Sequence, residues 1–173
     1  MPRIVSALAI ASLVVSLTGC GAGLNASTRQ ISQVTDGVEA TVKNDLSSIR
    51  VVNLLVVAAP GDNAVLVGTI VSTAVEEDAL LGVSINGTVA TITGKIALLQ
   101  NQPIIFEGDR ANSKAVMAGF GAKAGTRVPV TLFFARAGEV TVDAIVRAAA
   151  DEYAGITAAV AVPMATPSPT STK

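Results

Sequence analysis

The segments RVPVTLFF (residues 127–134) and EVTVDAIV (residues 139–146) flank a tight turn at Ala137-Gly138. In the first, Val128, Val130, Leu132 and Phe134 alternate with Arg127, Pro129, Thr131 and Phe133; in the second, Val140, Val142, Ala144 and Val146 share one face. Side chains of an extended strand point to opposite faces with period 2. Two such runs joined by a short turn therefore read as an antiparallel hairpin with one buried face. Pro129 has no N–H to give to a ladder, so either its strand lies at an edge or the proline faces an unpaired position.

The rest of the chain is punctuated in the same way. SSIRVVNLLVVAA (residues 47–59) ends in the turn Pro60-Gly61-Asp62-Asn63, and AVLVGTIVST (64–73) follows. ALLGVSI (79–85) runs into Asn86-Gly87, a pair suited to two-residue hairpin turns, and then into TVATI (88–92). PIIFE (103–107) and KAVMAGF (114–120) are further short apolar runs. Val and Ile favour a pleated, half-buried surface. Strand-length runs broken this often predict an all-β, antiparallel β-sandwich of about seven to nine strands. The Ala-rich stretch from Ala144 to Val162 reads as a strand that continues into extended chain, with a short helix as the alternative.

Ahead of this domain, Arg3 precedes a run from Ile4 to Leu17 without a charged residue. Fourteen residues fall short of the roughly 20 needed for a transmembrane helix but match a signal-peptide core. Leu17-Thr18-Gly19-Cys20 then has the form of a bacterial lipobox, with the chain's one cysteine as the lipidated residue. The expected boundaries are a lipoprotein signal peptide at 1–19 and a lipidated Cys20 with a Gly/Ser/Thr/Asn-rich tether to residue 37. The β-sandwich domain then covers 38–150, and a mostly disordered tail 151–173 is Ala-rich at first and Pro/Ser/Thr-rich at its end. The Pro/Ser/Thr end also has the composition of O-glycosylated stalks. A diacylglyceryl group on Cys20 would hold the chain on the extracytoplasmic face of the membrane, since two acyl chains anchor durably where one does not.

Several chemistries are disfavoured by content alone. Twelve basic against thirteen acidic residues, no Trp and one Tyr leave no basic or aromatic surface for nucleic acid. Histidine is absent, which removes the commonest general base and the commonest transition-metal ligand. Glu76-Glu77-Asp78 lacks calcium-loop spacing and reads as a solvated loop. GFGAKAGT (119–126) fits neither phosphate-loop pattern and reads as an inter-strand loop. No serine lies in a nucleophile-elbow motif. The expectation is a chain without enzymatic activity and without a cofactor or metal.

From Cys20 to about Val146 the chain resembles the actinobacterial LpqE family of cell-envelope lipoproteins, on GCGAG with QISQ, on SSIRVVNLLVV, on AVLVGTIVSTAVEEDALLGVSI, and on GTRVPVTLFFARAGEVTVDAIV. Its second half is also similar to periplasmic copper chaperones of the PCuAC type, through the VPVTL and GEVTV segments of the hairpin. That resemblance implies a cupredoxin-like, Greek-key sandwich and a Cu(I) site made by His and Met. Here the matching positions carry Ser113 and Ala115, and the other His falls near Ile92; Met117 close by reads as core filler. The resemblances thus imply a membrane-anchored, non-catalytic binding or accessory module in envelope biogenesis, whose partner is an envelope protein or a cell-wall lipid or glycan. The alternative they leave open is a copper chaperone.

Overall fold

The computed structural model describes residues 36–121 and 123–159. The expected signal peptide, the expected lipobox Leu17-Thr18-Gly19-Cys20, the expected tether up to residue 35 and the chain from residue 160 lie outside the described residues.

The domain is all-β, a cupredoxin-like sandwich. Its strands are β1 (Val38–Lys43), β2 (Ser48–Ala59), β3 (Asn63–Ser72), β4 (Asp78–Ile85), β5 (Thr88–Val89), β6 (Thr91–Gly94), β7 (Ala97–Leu98), β8 (Ile104–Ile105), β9 (Ser113–Met117), β10 (Arg127–Phe134) and β11 (Gly138–Ala148). Eleven strands replace the expected seven to nine, because β5, β7 and β8 are two residues long and too short to show alternation. TVATI, which reads as one strand, is split at the buried Ala90: β5 pairs with β4, while β6 crosses to β9.

The main pairing order is β5-β4-β10-β11-β2-β3-β9-β6. The hairpin forms in the expected register, with Val130 opposite Val142 and Leu132 opposite Val140. Val130, Leu132, Phe134, Ala144 and Val146 are buried, and Val128, Val140 and Val142 are half-buried against the same core. β10 is not an edge strand, since β4 flanks it on the other side. Pro129 lies one residue before the first β4 pair, Val130–Ile85, and its carbonyl accepts the Asn86 N–H at 2.8 Å. Asn86 and Gly87 both take positive φ (51° and 79°), as a two-residue primed turn requires.

One pairing departs from the antiparallel expectation: β11 runs parallel to β2 through Val146–Val56, Arg147–Val57 and Ala148–Ala58. β1 occupies the other half of β2, from Ser48 to Leu54. The β2–β3 register shifts between Val52 and Leu55, around Asn53 at φ 53°. Its side-chain Oδ1 accepts the Gly37 N–H at 2.9 Å. A Cβ on Gly37 would sit 2.3 Å from the Asn53 carbonyl carbon, so only glycine permits this approach.

β2 and β3 are apolar on both faces. Leu54, Val56 and Leu66 enter the main core with Phe106, whereas Leu55, Val57 and Val65 form a second cluster on the opposite face. The second cluster includes Ile156, with Tyr153 and Ala158 packed against it. Residues 151–159, which composition places in a disordered tail, thus pack over the sheet after a 3₁₀ turn at Asp151–Tyr153. The cause is the double-sided apolar face of β2, which needs a cover; each buried Leu or Val contributes roughly 1.5–3 kcal/mol.

Candidate functional site

The positions singled out by sequence meet on the β6–β9 ladder. Ile92 is directly opposite Ala115, and Ser113 is opposite Gly94. Residues 113, 115 and 117 share the inward face of β9: Ala115 is fully buried, Met117 and Ser113 nearly so. Ile92 packs half-buried against the main core. The Ser113 hydroxyl donates to the Lys95 carbonyl, while Lys114, on the other face, pairs with Glu107 at 3.4 Å. The constellation therefore exists in space, but its members are aliphatic apart from a committed hydroxyl and the Met117 thioether. Among the described residues no three His, Cys, Asp or Glu side chains cluster as a metal site.

The acidic stretch turns out differently from the expected solvated loop. Glu76 is exposed and pairs with Arg136 at 3.3 Å, but Asp78 is 3% exposed. Its Oδ1 accepts the Ala79 N–H at 2.7 Å and the Arg136 N–H at 2.9 Å. Its Oδ2 accepts the Ala137 N–H at 2.9 Å and the Ser47 hydroxyl at 3.2 Å. One carboxylate thus ties the start of β4 to the β10–β11 turn and to the β1–β2 loop. Burial of a charge is tolerable there because every contact is a donor. Sequence reading missed this residue, since nothing local distinguishes Asp78 from Glu76 and Glu77; apart from the adjacent Ala79 N–H, its partners lie 31 to 59 positions away.

Among the described residues, the glycine-rich loop directs several donors back into the domain. Gly121 N–H donates to the Asp62 carbonyl (3.1 Å) and Gly125 N–H to the Val146 carbonyl (2.8 Å). Thr126 closes the turn on the Lys123 carbonyl at 2.7 Å. Those N–H groups have no freedom to cradle a phosphate.

A groove of about 490 Å³ runs between the 151–159 segment and the β8–β9 loop, lined among others by Val67, Glu107, Asp109, Glu152, Tyr153 and Ile156. Burial pushes the Tyr153 phenol up from its ordinary value, helped by Asp36 and Glu152. Nearby, Asp36 hydrogen-bonds and ion-pairs with Arg147, which raises the guanidinium further.

The outward side of the hairpin is also open. Thr131 and Thr141 are in register and their hydroxyls are 2.8 Å apart. Phe133, opposite Glu139 on β11 and Gly82 on β4, is 36% exposed.

Comparison with known proteins fits this geometry. A copper-bound PCuAC domain from PmoF2 superposes with a TM-score of 0.53 at 24% identity, over 64% of this chain and 98% of that one. The chain has a PCuAC-like fold. An apo PCuAC domain from PmoF1 gives a TM-score of 0.50 at 24% identity, over 61% of this chain and 98% of the other. No protein-family model and no curated protein matches the chain. At these identities the likeness concerns the fold.

Proposed function

We propose that the chain is a membrane-tethered, non-catalytic binding module of the cell envelope, an LpqE-type lipoprotein that uses a PCuAC-like fold without carrying copper. The observation that carries this reading is the β6–β9 ladder. The positions that the PCuAC resemblance matches to His and Met ligands hold Ile92, Ser113 and Ala115, in a chain with no histidine. Cu(I) wants several soft or borderline donors, and among the described residues Met117 alone offers a thioether, 3% exposed. The address rests on the lipobox ending at Cys20, which anchors the module on the extracytoplasmic face.

A second reading, a copper chaperone, is favoured by the likeness to a domain described as copper-bound. On fold alone it stands ahead of the first. Residue content reverses that order, because a metal site follows its donors and a fold is shared among many functions.

The first reading is tested by photocrosslinking the lipidated protein in its own membranes and identifying what it holds. A discrete partner, enriched over its abundance, supports the reading; recovery of bulk membrane proteins in proportion to abundance removes it. Replacing Cys20 with Ser should release the protein or leave it as uncleaved precursor, with the sandwich still folded. A processed, still anchored Cys20→Ser protein contradicts the assigned anchor.

A further inference from the structure

We propose that Asn86 is a site of self-modification, where the Gly87 backbone nitrogen displaces the side-chain amide and water opens the resulting succinimide to aspartate and isoaspartate. The step does not depend on the binding-module reading. Asn86 and Gly87 form the two-residue loop between β4 and β5, and both are exposed. The Pro129 carbonyl holds the Asn86 backbone N–H at 2.8 Å. Among the described residues, neither the Asn86 side-chain amide nor the Gly87 N–H has a hydrogen-bond partner. Electrophile and nucleophile are thus neighbours in the chain, and both are open to water. Gly87 has no Cβ beside the attacking nitrogen, and the space into which one would project is empty.

The other asparagines of the described residues each lack one of these conditions. Asn44 Oδ1 accepts the Ser47 N–H at 2.7 Å, and Asn53 Oδ1 accepts the Gly37 N–H at 2.9 Å. Asn63 Nδ2 donates to the Pro60 carbonyl at 2.7 Å, and Asn112 Nδ2 to the Pro103 carbonyl at 2.9 Å. Asn101 is exposed and its amide is unpaired, but the next N–H, that of Gln102, donates to the Leu99 carbonyl at 3.1 Å. Asn101 is therefore a control within the same chain.

In the first step the Gly87 N–Cγ bond forms and the Cγ–Nδ2 bond breaks. The Gly87 N–H proton passes through water to the leaving nitrogen, which departs as ammonia. One water then adds across either imide C–N bond: cleavage at Cγ gives aspartate, and cleavage at the Asn86 carbonyl carbon gives isoaspartate. Nothing is oxidised or reduced. Isoaspartate lengthens the backbone of a two-residue loop by one atom, so the Ser84–Val89 and Ile85–Thr88 pairs lose their register. Val89 is 75% exposed, so little apolar burial is lost with β5 and the modified chain stays folded.

The test is incubation of the full-length chain, in detergent at mildly alkaline pH, with peptide mapping by mass spectrometry and enzymatic methylation of isoaspartate. Asn86 should convert at least about tenfold faster than Asn101, and isoaspartate should exceed aspartate. Gly87→Asn keeps a residue that tolerates positive φ but adds a Cβ beside the nitrogen, and should slow conversion about tenfold. Conversion at Asn86 no faster than at Asn101 overturns the proposal, as does aspartate without isoaspartate or an undiminished rate in Gly87→Asn. A parallel incubation in guanidinium separates turn from chain: reaction of Asn86 only after unfolding also overturns it.

Discussion

Two ladders of this sandwich teach opposite lessons from similar geometry. In β6–β9, the Ile92–Ala115 pair and Ser113 face inward, dry and closed, with the one hydroxyl turned to the Lys95 carbonyl. In β10–β11, the Thr131–Thr141 pair and Phe133 face outward and remain accessible. The first place is where the PCuAC resemblance matches metal ligands, and here the side chains pack against the core. The second is where a β-strand's period leaves every other residue to solvent, and there the chain offers hydroxyls and a ring. A shared fold does not by itself carry a shared site.

Substitutions that separate the two ladders sharpen this contrast. The largest effect belongs to Asp78→Ala, which leaves the Arg136 and Ala137 N–H groups without their acceptor and should cost roughly 3 kcal/mol. Chemical denaturation measures the loss, and amide exchange should accelerate around residues 135–138 while residues 113–117 keep their protection. Uniform acceleration across both ladders would erase the distinction. Next is Ala115→Met, which inserts a long side chain at a fully buried position and should cost about 1–3 kcal/mol by overpacking. Unchanged stability would mean that the β6–β9 site has room it is not shown to have.

A matched pair gives the smaller contrast. Ser113→Ala deletes a nearly buried hydroxyl whose acceptor is then left alone, at about 1 kcal/mol, whereas Thr131→Val on the outward ladder should stay within about 0.5 kcal/mol. If Thr131→Val is the costlier, the outward hydroxyl pair is structural. The smallest effect concerns Tyr153, the chain's one tyrosine. Burial raises its folded-state value above the unfolded value of about 10. The folded state holds the proton more tightly, so this contribution to stability is present below pH ~10 and is lost as pH rises through the folded midpoint. Ultraviolet titration should place that midpoint above the one in denaturant; coincident midpoints would show that residues 151–159 do not cover the ring.

Much of the fold was legible because period-2 alternation and turn chemistry are local. The β10–β11 register and the Asn86-Gly87 turn follow from residues within a few positions of one another. What escaped reading is long-range. The run NLLVVAA carries no alternation because both of its faces are buried, and that absence was itself the available signal that another segment must cover β2. Residues 151–159 supply that cover through Tyr153 and Ile156, yet their composition resembles a tail. Asp78 escaped for the same reason: a buried carboxylate is defined by donors from distant loops, and its neighbours Glu76 and Glu77 look alike on paper. The constellation of Ile92, Ser113 and Ala115 came from family resemblance, and the ladder then placed Ile92 directly across from Ala115.

The central proposal is that this PCuAC-like sandwich does not carry copper. Titration of the full-length chain with Cu(I) against a competing chelator tests it most directly. The account predicts no stoichiometric complex, with any weak uptake unaffected by Met117→Leu. A one-to-one complex of submicromolar affinity, lost on Met117→Leu, would contradict it and restore the chaperone reading.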